Sequence, residues 1–281
     1  MRQVQAIAVA AFIWLTLAAS AQQMSKEMKN VEPLPRDLAI QLALSSLPPH
    51  LRKNATVYVL DPDKGFEVAK KGTNGFHALV ARTGDDAMRG TWPLTKYRDD
   101  ILYPIAFDPA GAKAQMRVFL DIAKMQASGT APEKLKRIIQ HRYKSKYYKE
   151  PERFGIAYML SPILRTYTNP DADENVLTAN VPHVMYFAPN VTDKDVGGGR
   201  PNPDDLKYFV EHRHWPGSVY PFVILHGPHG YTVQFLGTTE RGALNNEYAE
   251  MLAKLCKIKE SWCLPKDASQ SSNVEKTMVG Q

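Results

Sequence analysis

Four of the chain's eight histidines crowd into the stretch VEHRHWPGSVYPFVILHGPHGY: His212, His214, His226 and His229. Imidazole is a common metal ligand and a general base near neutral pH. Three imidazoles around an open position are enough for a hydrolytic zinc. His212 and His214 form an HxH pair, which on a strand would place both rings on one face. The residues before the pair predict a helix instead. Asn202 can cap it, Pro203 suits a first turn, Asp204 and Asp205 favour the positive helix end, and Leu206, Phe209 and Val210 share a face. That helix is expected to stop at Trp215-Pro216-Gly217. Helical side chains two apart point about 200° apart, so the pair cannot share an ion. Its expected role is to complement the helix dipole.

The other two histidines flank a predicted hairpin. His226 ends the strand YPFVILH, and His229 stands at the tip of the Gly-Pro-His-Gly turn. The strand VPHVMYF sets His183 on one face with Met185 and Phe187. A metal site would therefore be His183 with His226 and His229, assembled at long range without an HExxH-like local motif. The plainer role for His183 is a core histidine held by one hydrogen bond, since a buried titratable group needs a partner before it implies chemistry. His77, after GTNGF, carries the same ambiguity.

Other candidates fail on spacing. DADENV opens like a calcium loop through Asp171, Asp173 and Asn175, but Val176 stands where the turning glycine belongs and Pro182 where the bidentate glutamate belongs. GGGR precedes a helix start, yet Asp204 and Asp205 in its first turn would repel a phosphate. No GxSxG, SxxK or Walker A motif occurs. No cofactor is predicted.

The elements that must position these residues follow from periodicity. RDLAIQLALSSL is an amphipathic helix stopped at Pro48-Pro49. ATVYVLD, FEVAKKG and FHALVAR, separated by PDKG and TNG turns, predict a three-stranded antiparallel meander. Asp108 caps a helix carrying Met116, Phe119, Leu120 and Ala123 on one face and ending at Gly129. Thr130 and Glu133 match a capping box that opens a second helix, EKLKRIIQHRYKSKYY. FGIAYML and VPHVMYFAP are strands joined by a polar loop, and NNEYAEMLAKLCKIKE is a closing helix. Strands cluster early and late with helices between, so the fold class is α+β, a mainly antiparallel sheet packed with several helices.

The helix 133–149 is the strongest surface feature. Lys134, Lys136, Arg137, Arg142, Lys144, Lys146 and Lys149 interleave with Tyr143, Tyr147 and Tyr148. Such a face suits either water or an anionic envelope surface.

The chain is 281 residues long with a formal net charge of +6. Its N-terminus reads as a secretory leader: Arg2, an apolar run from Ala6 to Ala18, and the small-x-small site Ala19-Ser20-Ala21. Cleavage is expected after Ala21, leaving a chain with no transmembrane helix, periplasmic or secreted. In that setting the positive charge speaks for anionic envelope material and not for nucleic acid. The expected organisation is 1–21 signal peptide, 22–35 flexible arm, 36–265 one α+β domain and 266–281 flexible tail. Cys256 and Cys263 are not a CxxC pair and are expected to form a short-loop disulfide, the alternative being free thiols or a link to another chain. Asn54 and Asn190 head glycosylation sequons that matter only in a eukaryotic secretory host.

Three stretches together carry a resemblance: ATVYVLDPDKGFEVAKKGTNGFHALVAR, FGIAYMLSPI with YTNPDADEN, and VPHVMYFAPN. They are similar to a family of uncharacterised exported bacterial proteins with a Gly-Thr-Asn-Gly-aromatic turn, a Tyr-Met-Leu strand and a Pro-His-Val-Met strand. The chain departs from that pattern by lacking a cysteine soon after the aromatic residue, where His77 stands nearby. Its segment from Arg89 to Tyr148 is also longer and more basic. The resemblance implies a bacterial exported protein and assigns no activity; Gly72, Thr73, Asn74, Gly75, Pro182 and His183 are its pattern residues.

Taken together, the residues predict a protein that binds a small molecule or envelope component, through Thr73, Asn74 and His183, in a pocket between the turn and the His183 strand. The alternatives are the metal-assisted hydrolase and the basic-helix surface.

Overall fold

The computed structural model describes residues 31–83, 97–167, 176–199, 201–216 and 220–266. The leader, the first part of the expected arm, the calcium-like loop with Asp171, Asp173 and Asn175, and the tail from 267 lie outside the described residues. The fold is α+β: an eight-stranded mixed, mainly antiparallel sheet with helices on both faces, plus a two-stranded ribbon. Among the described residues no helix is long and apolar enough to cross a membrane.

The first strands do not form the expected meander. β1 (Thr56–Asp61) and β2 (Gly65–Lys70) make the antiparallel hairpin, but β3 (His77–Ala81) lies on the other side of β1 and runs parallel to it. The chain crosses below the start of β1 through Gly72-Thr73-Asn74-Gly75. Two amides of this crossover, Thr73 N and Asn74 N, donate to the Asn54 carbonyl at 2.8 and 3.1 Å. Only glycine fits at 72, because a Cβ there would stand 2.2 Å from the Asn54 oxygen. The packed fold also begins earlier than expected: Val31 and Leu34 are buried, and Arg82 donates to the Glu32 carbonyl.

The sheet's centre is a strand that periodicity did not reveal. β4 (Tyr103–Phe107) is buried at every position and pairs antiparallel with β3 along its length. Pro104 breaks the sequence pattern of a central strand. The structure accommodates it beyond the point where the ladder to β5 (Gly155–Met159), limited to Ala106 and Phe107, has stopped.

Past β4, Asp108 caps the next helix as its type predicts, its Oδ1 accepting from Gly111 N at 2.6 Å. That helix widens into a π turn at Ala112–Met116 and continues as a helix at Arg117–Ala127. The second helix, Pro132–Lys144, has Ala131 at its N-cap and no capping box at Thr130. Pro132 takes the first turn, and the Thr130 carbonyl accepts from the Tyr97 hydroxyl instead.

Strand alternation divides the core into two. Leu79, Ile105, Phe107, Met185 and Val233 face one side, where Phe119, Ile122, Leu135 and Ile139 of these two helices cover them. Ala78, Val80 and Ala106 face the other, under Leu38 and Leu42 of the first helix, Arg36–Ser45, and Met251 and Leu255 of the last. The closing helix is two: Thr238–Glu247 and Ala249–Ile258 meet at Tyr248.

The polar loop of the sequence holds the ribbon. β6 (Leu164–Tyr167) pairs antiparallel with β7 (Val176–Ala179) across the undescribed 168–175. The sheet continues through β5 (Gly155–Met159), β8 (His183–Phe187), β10 (Tyr231–Phe235) and β9 (Phe222–Leu225).

Cys256 and Cys263 form the disulfide, clamping the last helix to the turn that buries Trp262. Opening this short loop is expected to lower stability by about 2 kcal/mol. Urea unfolding with and without dithiothreitol measures it. An unchanged midpoint would mean that Trp262, whose Nε1 donates to the Asp100 carbonyl at 2.7 Å, holds the segment alone.

Candidate functional site

His183 opens β8 opposite Met159 on one neighbour and Phe235 on the other. Alternation turns it to the same face as Met185 and buries it at 7% exposure. Its Nδ1 lies 2.7 Å from the Val181 carbonyl. A carbonyl only accepts, so Nδ1 carries a proton. The ring packs on Phe235 at 5.1 Å.

This side chain helps wall a cavity of about 160 Å³. Tyr103 of β4, Leu164 and Thr166 of β6, Ile224 of β9 and Phe235 of β10 line it with His183. The helix Pro203–His212 closes one side through Phe209, against which Trp215 stacks at 4.7 Å. The capping box at Asn202 and Asp205 starts this helix as expected. It ends at His212, three residues earlier than the sequence predicts, because Arg213 adopts a left-handed conformation and turns Trp215 inward.

Two buried polar atoms of the wall have no hydrogen-bond partner among the described residues: the Thr166 hydroxyl and Trp215 Nε1. An unsatisfied buried donor costs about 1–3 kcal/mol. The cavity matches in size the roughly 150 Å³ apolar cavities that take up benzene. Apolar walls with a few placed polar groups are the usual make-up of a small-molecule site. Neither group was legible in the chain. Thr166 lies in a stretch that reads as loop, and Trp215 reads as a helix stop.

The predicted partners of His183 lie elsewhere. The Gly-Thr-Asn-Gly turn precedes β3, three strands or about 14 Å across the sheet, and at its opposite end. Asn74 is already committed: Nδ2 donates to the Leu51 carbonyl at 2.8 Å, and Oδ1 accepts from Phe76 N at 3.0 Å. Thr73 is exposed beside it. The expected pocket between turn and strand does not form, because the crossover spends the turn's polar groups on the β1–β3 junction.

The three metal candidates are also apart. His183 pairs with the last residue of β10, and His229 lies two residues before the first, beyond the roughly 14 Å that the strand itself spans. The His226 side chain is 52% exposed, 4.0 Å from Asp193. Burial pulls the His229 imidazole below its ordinary pKa, against the opposing pull of Glu150 and of the Tyr148 carbonyl. Among the described residues no group of three histidine, cysteine or acidic side chains could hold a metal ion. His212 stacks on Tyr208 at 4.0 Å, and His214 packs off the helix with Nδ1 at 2.8 Å from the Trp215 carbonyl. His77 hydrogen-bonds the Tyr58 hydroxyl at 3.1 Å.

The basic helix is only partly a free face. Arg142 pairs with Asp121 at 2.7 Å and is half-buried, whereas Lys134, Arg137 and Lys144 are exposed. No protein-family model, curated protein or solved structure matches the chain.

Proposed function

We propose that this is an exported bacterial protein that binds a small, mostly apolar molecule carrying one hydrogen-bond acceptor in the His183 cavity. The observation that carries the reading is the apolar cavity of about 160 Å³ beside His183, two of whose lining residues, Trp215 and Thr166, each hold an unpartnered buried polar atom. Export is supported by the leader-like N-terminus and by the bonded cysteines. The bacterial source rests on the family resemblance.

Benzamide serves as a probe, its carbonyl offering the acceptor. Its titration is expected to shift the Trp215 indole resonance in a ¹H–¹⁵N spectrum, with toluene shifting it less. Trp215→Phe keeps the aromatic stack and is expected to weaken benzamide binding about tenfold, the worth of one buried hydrogen bond. An unperturbed Trp215 resonance at saturating benzamide and toluene would sink the reading.

A further inference from the structure

A second concavity, of about 410 Å³, lies between the start of the helix that Asp108 caps and the coil after Pro132–Lys144. Lys113 and Arg117 enter it from the π turn and the helix after it, four residues apart and so on one helix face. Lys149 and Arg153 enter from the coil after Pro132–Lys144. With Glu150 and Glu152, these four cations leave the lining a formal +2. Of the four, only Lys113 has a carboxylate partner among the described residues, Glu152 at 2.8 Å. Arg117 and Arg153 are exposed at the surface and stand without one, and the exposed Lys149 feels the Glu152 charge without forming an ion pair with it.

The site is built as well as charged. Lys146 adopts a left-handed conformation, φ 58°, a position that normally favours glycine. This turns Tyr147 and Tyr148 back beneath the helix, with Tyr147 N donating to the Arg142 carbonyl at 2.9 Å. The Tyr147 hydroxyl then accepts from Arg117 Nη2 at 2.5 Å, and its ring lies 4.2 Å from the Arg117 guanidinium. Arg117 is thereby oriented while its Nε and Nη1 donors find no acceptor among the described residues. Arg142 behind it is consumed by Asp121 and the Tyr148 hydroxyl. Cations from two segments gathered in one concavity repel one another until an anion joins them. π turns also concentrate at functional sites.

We propose that this cleft binds the terminal phosphate of a phosphate monoester, held by Arg117, Lys149 and Arg153 beside Tyr147. A phosphate monoester carries about −1.5 to −2 at neutral pH, matching the lining, and the planar guanidinium fork fits its oxygens. The phosphate arrives on a soluble molecule or on a lipid headgroup, and the two sources are separable. The processed full chain is titrated calorimetrically with inorganic phosphate at low salt, and sedimented with phosphatidylcholine vesicles with and without phosphatidic acid.

Binding in either arm is expected to weaken about tenfold in Arg117→Gln and in Lys149→Gln, as lost charge-assisted hydrogen bonds require. It is expected to be unchanged in Lys134→Gln/Arg137→Gln, both exposed on the outer helix face. Phosphate binding with this pattern identifies a soluble ligand, and vesicle binding alone with this pattern identifies a headgroup. Absence of binding in both arms, or equal weakening in the outer-face variant, overturns the proposal. Unchanged circular dichroism separates a binding defect from misfolding.

Discussion

Asp100→Asn is expected to destabilise the protein by about 3 kcal/mol at pH 7, because removing one member of a buried ion cluster strands the others. The Asp100 carboxylate accepts from Arg98 Nε and Nη2 at 2.8 and 2.7 Å, and from Arg165 Nε and Nη2 at 3.0 and 2.5 Å. The three side chains are only 11–21% exposed. Arg82 lies close by, its guanidinium pulled down to about 10 by burial and supported by the charges of Asp99 and Asp100. Asparagine keeps the shape and removes the charge from all of them.

Acid reaches the same cluster without mutation. Burial alone would raise the Asp100 carboxyl, but the hydrogen bonds and charges of Arg98 and Arg165 outweigh it and hold it at about 2. That is below the roughly 3.9 of an unfolded aspartate, so its contribution is present above pH ~4 and lost as pH falls toward 2. The shift is worth about 2–3 kcal/mol. Urea unfolding at pH 7 and pH 3 tests both statements. The wild type should lose more stability than Asp100→Asn between the two, and equal midpoints at pH 7 would refute the cluster's role.

The same substitution reaches the proposed ligand site. Arg165 stands between Leu164 and Thr166, which line the cavity, and ties β6 to Asp100 on one side and to the Thr178 hydroxyl on the other. Loosening this anchor is expected to weaken benzamide binding without altering any group that touches it.

Gly72→Ala is expected to cost about 3 kcal/mol, at the upper end for forced overpacking. Its Cβ would meet the Asn54 oxygen at 2.2 Å and the Ala55 carbonyl carbon at 2.3 Å, both of them backbone. Neither can yield without breaking the bonds that seat β3 against β1. Gly129→Ala is the contrast: at φ +75° with nothing within 4 Å, it should lose only the roughly 1–2 kcal/mol of a left-handed backbone. Thr73→Ala, exposed beside the crossover, should fall within about 0.5 kcal/mol of wild type. Denaturant midpoints of the three variants rank them. A Gly72→Ala no worse than Gly129→Ala would show that the crossover relaxes.

What the residues alone determine here is local. The caps at Asp108 and Asn202 depend on a few neighbouring amides, and the β9–β10 hairpin on alternation around a turn. The disulfide joins cysteines seven apart, and the α+β class follows from the order of strand and helix periods. Tertiary structure alone decided the rest. β3 reads as the third strand of a meander, whereas a crossover anchored on the Asn54 carbonyl carries it past β1 to lie parallel on its other side. Pro104 disguises the central strand, and burial on both faces overrides it. The His183 cavity draws on β4, β6, β8, β9, β10 and one helix, and the basic cleft joins Arg117 to Tyr147 across thirty residues. Periodicity records which face of an element is buried. It carries no record of which distant element will cover that face, and both sites are made where such coverings meet.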